Sequence, residues 1–202
     1  AGAAAALRKA AQIAPNNPKT QTNLAGVLCE SGDMEGALAH AKRATRLAPA
    51  NDVAWYNYGR ILAAARRDAR KACEAYARAL SLNPRHARAA DGLGVVLLQT
   101  GRPDQAVRRF RQALAIEPQN ALVHNHLGLA LLQAGRPIEA MRALERAVAI
   151  APDQPGVRLN LARILAQVGR TEEAVAHLKR LRKTHPDFAP ARVWLERLEN
   201  TP

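Results

Sequence analysis

The sequence has few aromatic residues, few cysteines and no long apolar run. Aromatic residues make up 3% of the 202 residues whereas 48% are hydrophobic, so Ala, Leu and Val must supply most of any core. The apolar runs are only a few residues long, which excludes a segment that spans a bilayer. The alanine-rich start lacks a basic stretch followed by a bulky apolar segment, so the chain shows no recognisable targeting signal.

The two cysteines exclude a disulfide framework. Cys29 and Cys73 have neither CxxC nor zinc-ligand spacing, and both occupy small positions of predicted helices. We therefore expect buried free thiols. Free thiols slightly favour a cytoplasmic, reducing compartment, and the sequence leaves the localisation otherwise unknown.

What the chain does contain is a repeat. Residues 93–106 read LGVVLLQTGRPDQA, and residues 127–140, 34 positions later, read LGLALLQAGRPIEA. A fixed period of this size predicts a repeat architecture for the whole chain. Prolines mark the same register at intervals of 34, 35, 34, 34 and 34 residues, namely at Pro15, Pro49, Pro84, Pro118, Pro152 and Pro186.

Each repeat unit reads as two helices. Apolar residues recur at helical spacing in two blocks, such as Leu127 with Leu131, then Leu144 with Val148. Between the blocks we expect glycine to end the first helix in the left-handed conformation, which a Cβ disfavours. These glycines are Gly32, Gly101, Gly135 and Gly169. Prolines are expected in first helical turns, where a missing N–H costs little, at Pro18, Pro103, Pro137 and Pro155.

This pattern resembles the tetratricopeptide repeat (TPR) family. The large-small pair of the first helix is matched by Leu24-Ala25, Tyr58-Gly59, Leu93-Gly94, Leu127-Gly128 and Leu161-Ala162. The small residue that begins the second helix is matched by Ala37, Ala72, Ala106, Ala140 and Ala174, and its bulky residue by Tyr76, Phe110 and Leu144. The resemblance covers essentially the whole chain. It implies an all-α fold, a right-handed α-solenoid of stacked antiparallel helix pairs.

We expect one TPR array over residues 1–202, with about eleven or twelve helices and no strand. Its expected parts are a lone second helix at 2–17, repeats at 18–51, 52–86, 87–120, 121–154 and 155–188, and a C-terminal capping helix at 189–202. Repeat 52–86 has ARRDA in place of a glycine turn, which predicts an irregular turn near Arg66 to Asp68. Because the first helix lacks a cap, the chain is expected to be a piece of a longer array.

In this family the first helices line a concave groove and the second helices form the convex back. The resemblance therefore implies a module that binds a peptide segment of a partner protein, as the recognition arm of a larger protein. The predicted groove residues are Asn23, Tyr56, Asn57, Arg60, Arg88, Val95, Leu98, Leu122, Asn125, Leu129, Leu132, Asn160 and Arg163. The leucines and Val95 suit hydrophobic side chains of a partner, or alternatively pack against adjacent helices.

Asn23, Asn57 and Asn160 share one position of the first helix. In family members that resemble the O-GlcNAc transferase superhelix, a ladder of asparagines at this position holds an extended peptide by its backbone. Gly92 and His126 interrupt such a ladder here. The alternative is that asparagine is simply common at this position.

A net charge of +13 raises the question of a polyanionic partner. Most basic residues lie on predicted second helices and turns, among them Arg108, Arg109 and Arg111, and they are dispersed. Because no aromatic residues are interleaved with them for base stacking, we expect no specific nucleic-acid binding. Polyanion binding through the convex face is the least favoured alternative.

No catalytic or metal-binding pattern is present. His124 and His126 are two residues apart and point to nearly opposite sides of a helix, so they cannot chelate one metal. We therefore expect no enzymatic activity, no cofactor and no metal. The principal alternative to peptide binding is a scaffold that self-associates into a homo-oligomer through its uncapped first helix.

Overall fold

A computed structural model describes residues 2–65 and 68–199, and all regular secondary structure in these two ranges is α-helical. The expected eleven or twelve helices without a strand are thus confirmed for the described residues. The helices are α1 (Gly2–Ile13), α2 (Pro18–Glu30), α3 (Met34–Leu47), α4 (Asp52–Ala64), α5 (Ala69–Leu82), α6 (Ala87–Gln99), α7 (Pro103–Ile116), α8 (Ala121–Gln133), α9 (Pro137–Ile150), α10 (Pro155–Gln167), α11 (Thr171–Thr184) and α12 (Ala189–Glu199).

The helix ends follow the local signals in the sequence. Gly32, Gly101, Gly135 and Gly169 have φ of +87°, +72°, +73° and +83°, which confirms the predicted left-handed turns. Pro18, Pro103, Pro137 and Pro155 each lie in the first turn of a helix, as predicted. Asparagine and aspartate side chains cap other helices; Asn51, for example, accepts hydrogen bonds from the N–H groups of Val53 and Ala54 at 3.0 and 3.1 Å.

The turn between α4 and α5 has no glycine. The turn ends at Asp68, whose side-chain carboxylate accepts a hydrogen bond from the Lys71 N–H at 2.9 Å and so caps α5. Arg66 and Arg67, where we predict the irregular part of this turn, lie outside the described residues.

The chain divides into two compact units, residues 1–100 and 101–202. In the N-terminal unit, α2 packs on α3 and α4 on α5; in the C-terminal unit, α8 packs on α9 and α10 on α11. Each unit is thus built from stacked helix pairs, as expected for a solenoid. The expected repeat boundaries and a single array over the whole chain stay predictions.

The helices approach closely because small residues face large ones. A Cβ added at Gly128 would lie 2.6 Å from Cγ of Leu144, a side chain that is fully buried. Gly59 makes the same kind of approach to the Tyr76 ring, at 3.0 Å. The large-small pairs of the sequence are therefore the contacts that hold neighbouring helices together.

Four of the prolines that close a repeat share a contact. The backbone carbonyl of each accepts a hydrogen bond from the side chain six residues later. The donors are chemically unlike one another: Gln21 to Pro15 at 2.9 Å, Trp55 to Pro49 at 3.0 Å, His124 to Pro118 at 3.0 Å and Arg158 to Pro152 at 2.6 Å. Each donor is the fourth residue of a first helix, α2, α4, α8 or α10. These bonds tie the start of one repeat to the end of the preceding one.

Candidate functional site

Within each unit, the first helices of the repeats leave one side open to solvent. We define the first-helix face as the exposed and half-buried residues of α2, α4 and α6 in the N-terminal unit, and of α8, α10 and α12 in the C-terminal unit. Twelve of the thirteen predicted groove residues lie on this face; the exception is Asn125, which is 8% exposed. Their assignment to a peptide-binding groove stays a prediction.

In the N-terminal unit, the predicted residues on α2 and α4 are polar or aromatic, whereas α6 contributes Arg88 and two apolar residues. Asn23 and Arg88 are exposed, and the remaining members of the set in this unit are half-buried: Tyr56, Asn57, Arg60, Val95 and Leu98. The Asn57 amide donates to the Val53 carbonyl of its own helix at 2.9 Å.

Tyr56 joins an aromatic cluster in this unit. Its ring centroid lies 4.8 Å from that of His86 and 6.1 Å from that of Tyr76. Tyr76 is 3% exposed, and burial raises the pKa of its phenol, so the hydroxyl remains protonated at ordinary pH.

Tyr76 explains the break in the asparagine pattern at Gly92. A Cβ at residue 92 would lie 2.6 Å from Cζ of Tyr76 and 2.9 Å from its hydroxyl oxygen, so an asparagine would collide with the ring. The corresponding residues one repeat later are Phe110 and His126, whose rings pack at 5.5 Å. Phenylalanine has no hydroxyl, and here a larger side chain than glycine fits.

In the C-terminal unit, the α8 part of the first-helix face carries several leucines. Leu122 is 52% exposed, and Leu129 and Leu132 on the same helix are half-buried. Beside them the Asn160 side-chain amide donates to the Asn125 side-chain oxygen at 2.9 Å. The structure thus brings two predicted groove residues, on α8 and α10, into direct contact.

Arg163 lies at the α12 side of this face. It is exposed, and its guanidinium carbon is 5.3 Å from the centroid of the Trp194 ring. Arg197 approaches the same ring at 5.1 Å. Two guanidinium groups are therefore held against one indole by cation–π contacts.

A buried arginine on α10 contacts a half-buried histidine on α11. Arg158 is 5% exposed, and its Nη1 donates to Nδ1 of His177 at 3.3 Å. Because an arginine can only donate, the imidazole nitrogen accepts the bond and the ring is neutral. Burial lowers the pKa of His177 below its ordinary value of 6.5; Arg158 lowers it further, and Glu173 opposes the shift.

We expect this pair to make stability depend on pH. The unfolded chain takes up a proton at His177 near pH 6.5, whereas the folded chain resists it, so the free energy of unfolding is greatest above that pH. It should fall as the pH decreases towards the folded-state pKa. Urea unfolding at pH 7.5 and 5.5 should show a larger loss for the unchanged chain than for His177→Gln.

A matched variant is Arg158→Gln, because Gln21 occupies the equivalent position in α2. There, Oε1 of Gln21 lies 2.6 Å from Nδ1 of His40. Removing the cation next to His177 should weaken the pH dependence. Equal pH profiles for the unchanged chain and His177→Gln would contradict this account.

The described residues contain no group of three or more His, Cys, Asp or Glu side chains that could hold a metal ion. His124 hydrogen-bonds to the Pro118 carbonyl, and the ring of His126 packs against the ring of Phe110. None of the helices in the described part of the chain has the length and hydrophobicity of a membrane span.

Stacked helix pairs with left-handed glycine turns, and in each unit an open face of first helices, define a helical-repeat solenoid. The chain belongs to the tetratricopeptide repeat family: three profiles described as tetratricopeptide repeats match residues 52–119, 92–155 and 131–197. The fold class is therefore the right-handed α-solenoid implied by the sequence pattern. Proteins of this family generally mediate protein–protein interaction.

Solved structures share this fold. YrrB, described as a TPR protein with an unusual peptide-binding site, matches with a TM-score of 0.75 and 21% identity over 96% of this chain and 100% of its own. MamA from Desulfovibrio magneticus RS-1 matches with a TM-score of 0.74 and 22% identity over 91% and 97%. pilF of Pseudomonas aeruginosa matches with a TM-score of 0.80 and 21% identity over 95% and 86%. No curated protein sequence matches this chain significantly.

The roles of Trp194 and Tyr76 were not identified from the sequence. Trp194 holds the position in α12 that Asn160 holds in α10, 34 residues earlier, so the repeat register could have identified it. Tyr76 was read only as a packing residue, because nothing along the chain indicates that its ring reaches Gly92.

Proposed function

We propose that the chain is a non-catalytic interaction module that binds an extended peptide segment of a partner protein along its first-helix face. The observation that supports this proposal is the C-terminal unit, where one exposed and two half-buried leucines of α8 lie beside an asparagine amide that a hydrogen bond already orients. An extended peptide offers the matching chemistry, with apolar side chains and a backbone of alternating donors and acceptors.

Asn160 suits recognition of a peptide backbone. A side-chain amide has two N–H donors and a carbonyl that can accept two hydrogen bonds. The bond to Asn125 uses one N–H and orients the group, so the other N–H and the carbonyl oxygen can pair with a backbone amide unit. A side chain that is already ordered loses less entropy on binding.

Leu122 and Leu129 are seven residues apart on α8, which places them on the same side of the helix two turns apart. Together with Leu132 they offer apolar surface that a partner's hydrophobic side chains would remove from water. Burial of such surface contributes roughly 25 cal/mol per Å². The amide would fix the path of the peptide and the leucines would supply affinity.

The basic residues of the second helices, and of the turns that precede them, support a binding role less well. In the C-terminal unit Arg111 pairs with Glu139 at 3.1 Å, Arg136 binds the same carboxylate at 2.7 Å, and Arg170 pairs with Glu173 at 2.6 Å. Charge engaged in this way attracts a polyanion less strongly than free charge does.

The test is a selection of random decapeptides displayed on phage against the purified chain, followed by fluorescence anisotropy with the selected peptides. The double variant Leu129→Ala and Asn160→Ala should weaken binding at least about tenfold, because both a hydrogen bond and apolar contact are lost. Its helical content and thermal unfolding should stay near those of the unchanged chain. The matched control is Ile138→Ala, which removes a 51% exposed apolar side chain from a second helix.

Other outcomes favour the alternatives. Binding that is lost only when Arg108, Arg109 and Arg111 are changed to Glu, and that falls steeply with added salt, would transfer the function to a polyanion on the second helices. A concentration-dependent rise of mass in light scattering that the Leu129 and Asn160 changes leave intact would favour the homo-oligomeric scaffold that associates through its first helix.

A further inference from the structure

We propose that protonation breaks the contact between Arg158 and His177, whereas it leaves the equivalent contact between Gln21 and His40 in place. We name these contacts the α10–α11 joint and the α2–α3 joint. Each connects the fourth residue of a first helix to the seventh residue of the following second helix. The C-terminal unit would thus contain an acid-sensitive joint that its counterpart in the N-terminal unit lacks. The device is independent of the proposed peptide binding, because none of the four side chains is a predicted groove residue.

In the α2–α3 joint, the Pro15 carbonyl determines where the proton of His40 lies. The Gln21 side chain is 1% exposed; its Nε2 donates to the Pro15 carbonyl at 2.9 Å, and its Oε1 lies 2.6 Å from Nδ1 of His40. Because a carbonyl can only accept, Pro15 requires the N–H side of the amide and leaves Oε1 to His40. Oε1 also only accepts, so Nδ1 of His40 carries a proton. A second proton adds at Nε2 and leaves this hydrogen bond intact, now with a charged donor.

The α10–α11 joint has the opposite arrangement at its histidine. Arg158 donates through Nη2 to the Pro152 carbonyl at 2.6 Å and through Nη1 to Nδ1 of His177 at 3.3 Å. Nδ1 of His177 is therefore the acceptor, and the neutral ring carries its proton on Nε2. A second proton can add only at Nδ1, where it removes the acceptor and places a cation against the guanidinium. Arg158 is 5% exposed, so water screens this repulsion poorly.

The charges around His177 come from two helices. Burial lowers its pKa most, Arg158 on α10 and Arg180 on α11 lower it further, and Glu173 on α11 raises it. Helix α12 also packs on α11, but none of its described residues acts on this pKa. The ring therefore resists protonation because protonation damages the joint.

The charges around His40 come from α3, α1 and the turn before α3. Burial lowers its pKa most, followed by Arg43; Asp33 raises it and Arg8 lowers it. Helices α2 and α4 pack on α3, and none of their described charged groups acts on this pKa. Both histidines thus resist protonation in the folded chain. The direction of their pKa shifts does not distinguish the two joints, and the hydrogen-bond pattern does.

A histidine ring is not needed for packing at this position. The seventh residues of α5 and α9 are alanines, Ala75 and Ala143, and both are buried. The second helix therefore packs on its partner without a ring there. What His40 and His177 add to their repeats is the polar contact with the first helix.

The first test measures where the protons lie. Two-dimensional ¹H–¹⁵N NMR of histidine side chains at pH 7.5 should show the Nδ1–H form for His40 and the Nε2–H form for His177. Arg158→Gln should convert His177 to the Nδ1–H form, because the amide would then bond to Pro152 and His177 as Gln21 does to Pro15 and His40. An Nδ1–H form of His177 in the unchanged chain would overturn the proposal.

The second test measures the response of each joint to acid by amide hydrogen exchange at pH 7.5 and 5.0, corrected for the intrinsic exchange rate. Protection of α11 should fall at least about tenfold more than that of α3, the effect of losing one hydrogen bond to a charged group. His177→Gln should abolish this difference, because its amide oxygen can accept from Arg158 at either pH. The matched control His40→Gln should leave the response of α11 unchanged.

The reverse exchange is the strictest test. Gln21→Arg gives the α2–α3 joint the arginine of the other unit, so His40 should change to the Nε2–H form and α3 should lose protection in acid. Equal acid responses of α3 and α11 in the unchanged chain, or a response of α11 that persists in His177→Gln, would overturn the proposal. If Gln21→Arg does not fold, the NMR assignments of His177 in the unchanged chain and in Arg158→Gln still decide it.

Discussion

Replacing Phe110 with alanine is expected to lower the free energy of unfolding by about 3–5 kcal/mol, the largest single-site effect that we predict. Phe110 is fully buried and packs against His126 on the following helix. Alanine would remove the ring from the middle of a helix stack that has few other aromatic residues to fill the space. Urea unfolding followed by circular dichroism measures the loss.

Two variants make this prediction specific. Leu144 holds the position of Phe110 one repeat later, so Phe110→Leu places a side chain that the chain itself uses there, and it should cost less than half as much as alanine. Ile138→Ala removes an apolar side chain that is 51% exposed and should change stability by less than about 0.5 kcal/mol. Equal losses for Phe110→Leu and Phe110→Ala would show that the ring does not contribute through its volume.

The repeat register predicted the fold because each of its signals acts locally. A left-handed glycine at residue 135 or a proline in the first turn at residue 137 determines a helix end within a few residues of chain. The expected end parts, at 2–17 and 189–202, each contain one helix, α1 (Gly2–Ile13) and α12 (Ala189–Glu199). Small-large alternation then requires the helices to stack, whatever the rest of the surface contains.

The contacts of the candidate site could be predicted only in part. The register indicated which residues face outward, but not which side chains from different helices meet. The Asn160–Asn125 bond joins residues 35 positions apart, and the Trp194 contact depends on the path of a long arginine side chain. The side chains that bind the proline carbonyls were missed for another reason: Gln21, Trp55, His124 and Arg158 share a function but no chemical class, so they form no visible pattern.

The second large effect on stability is expected at Gly92, where the asparagine ladder is interrupted. Gly92→Ala should destabilise the chain by about 1–3 kcal/mol because the new methyl group would lie 2.6 Å from Cζ of the buried Tyr76 ring. This cost opposes the gain of up to about 1 kcal/mol that alanine normally brings when it replaces glycine within a helix. The ring is rigid and only 3% exposed, so it cannot move aside easily, and we expect the overlap to outweigh the gain.

The effect of Gly92→Ala on stability should change sign when the Tyr76 ring is removed. In a Tyr76→Leu background, which is itself destabilised, Gly92→Ala should become neutral or stabilising, and a double-mutant cycle in urea should give a coupling free energy of about 1 kcal/mol or more. Gly26→Ala is the matched control, since the nearest atom to its added Cβ is Nη2 of Arg60 at 3.9 Å, an ordinary contact, and this change should stabilise the chain. If Gly92→Ala is as favourable as Gly26→Ala in the unchanged chain, the Tyr76 ring does not hold residue 92 to glycine, and the break in the ladder needs another cause.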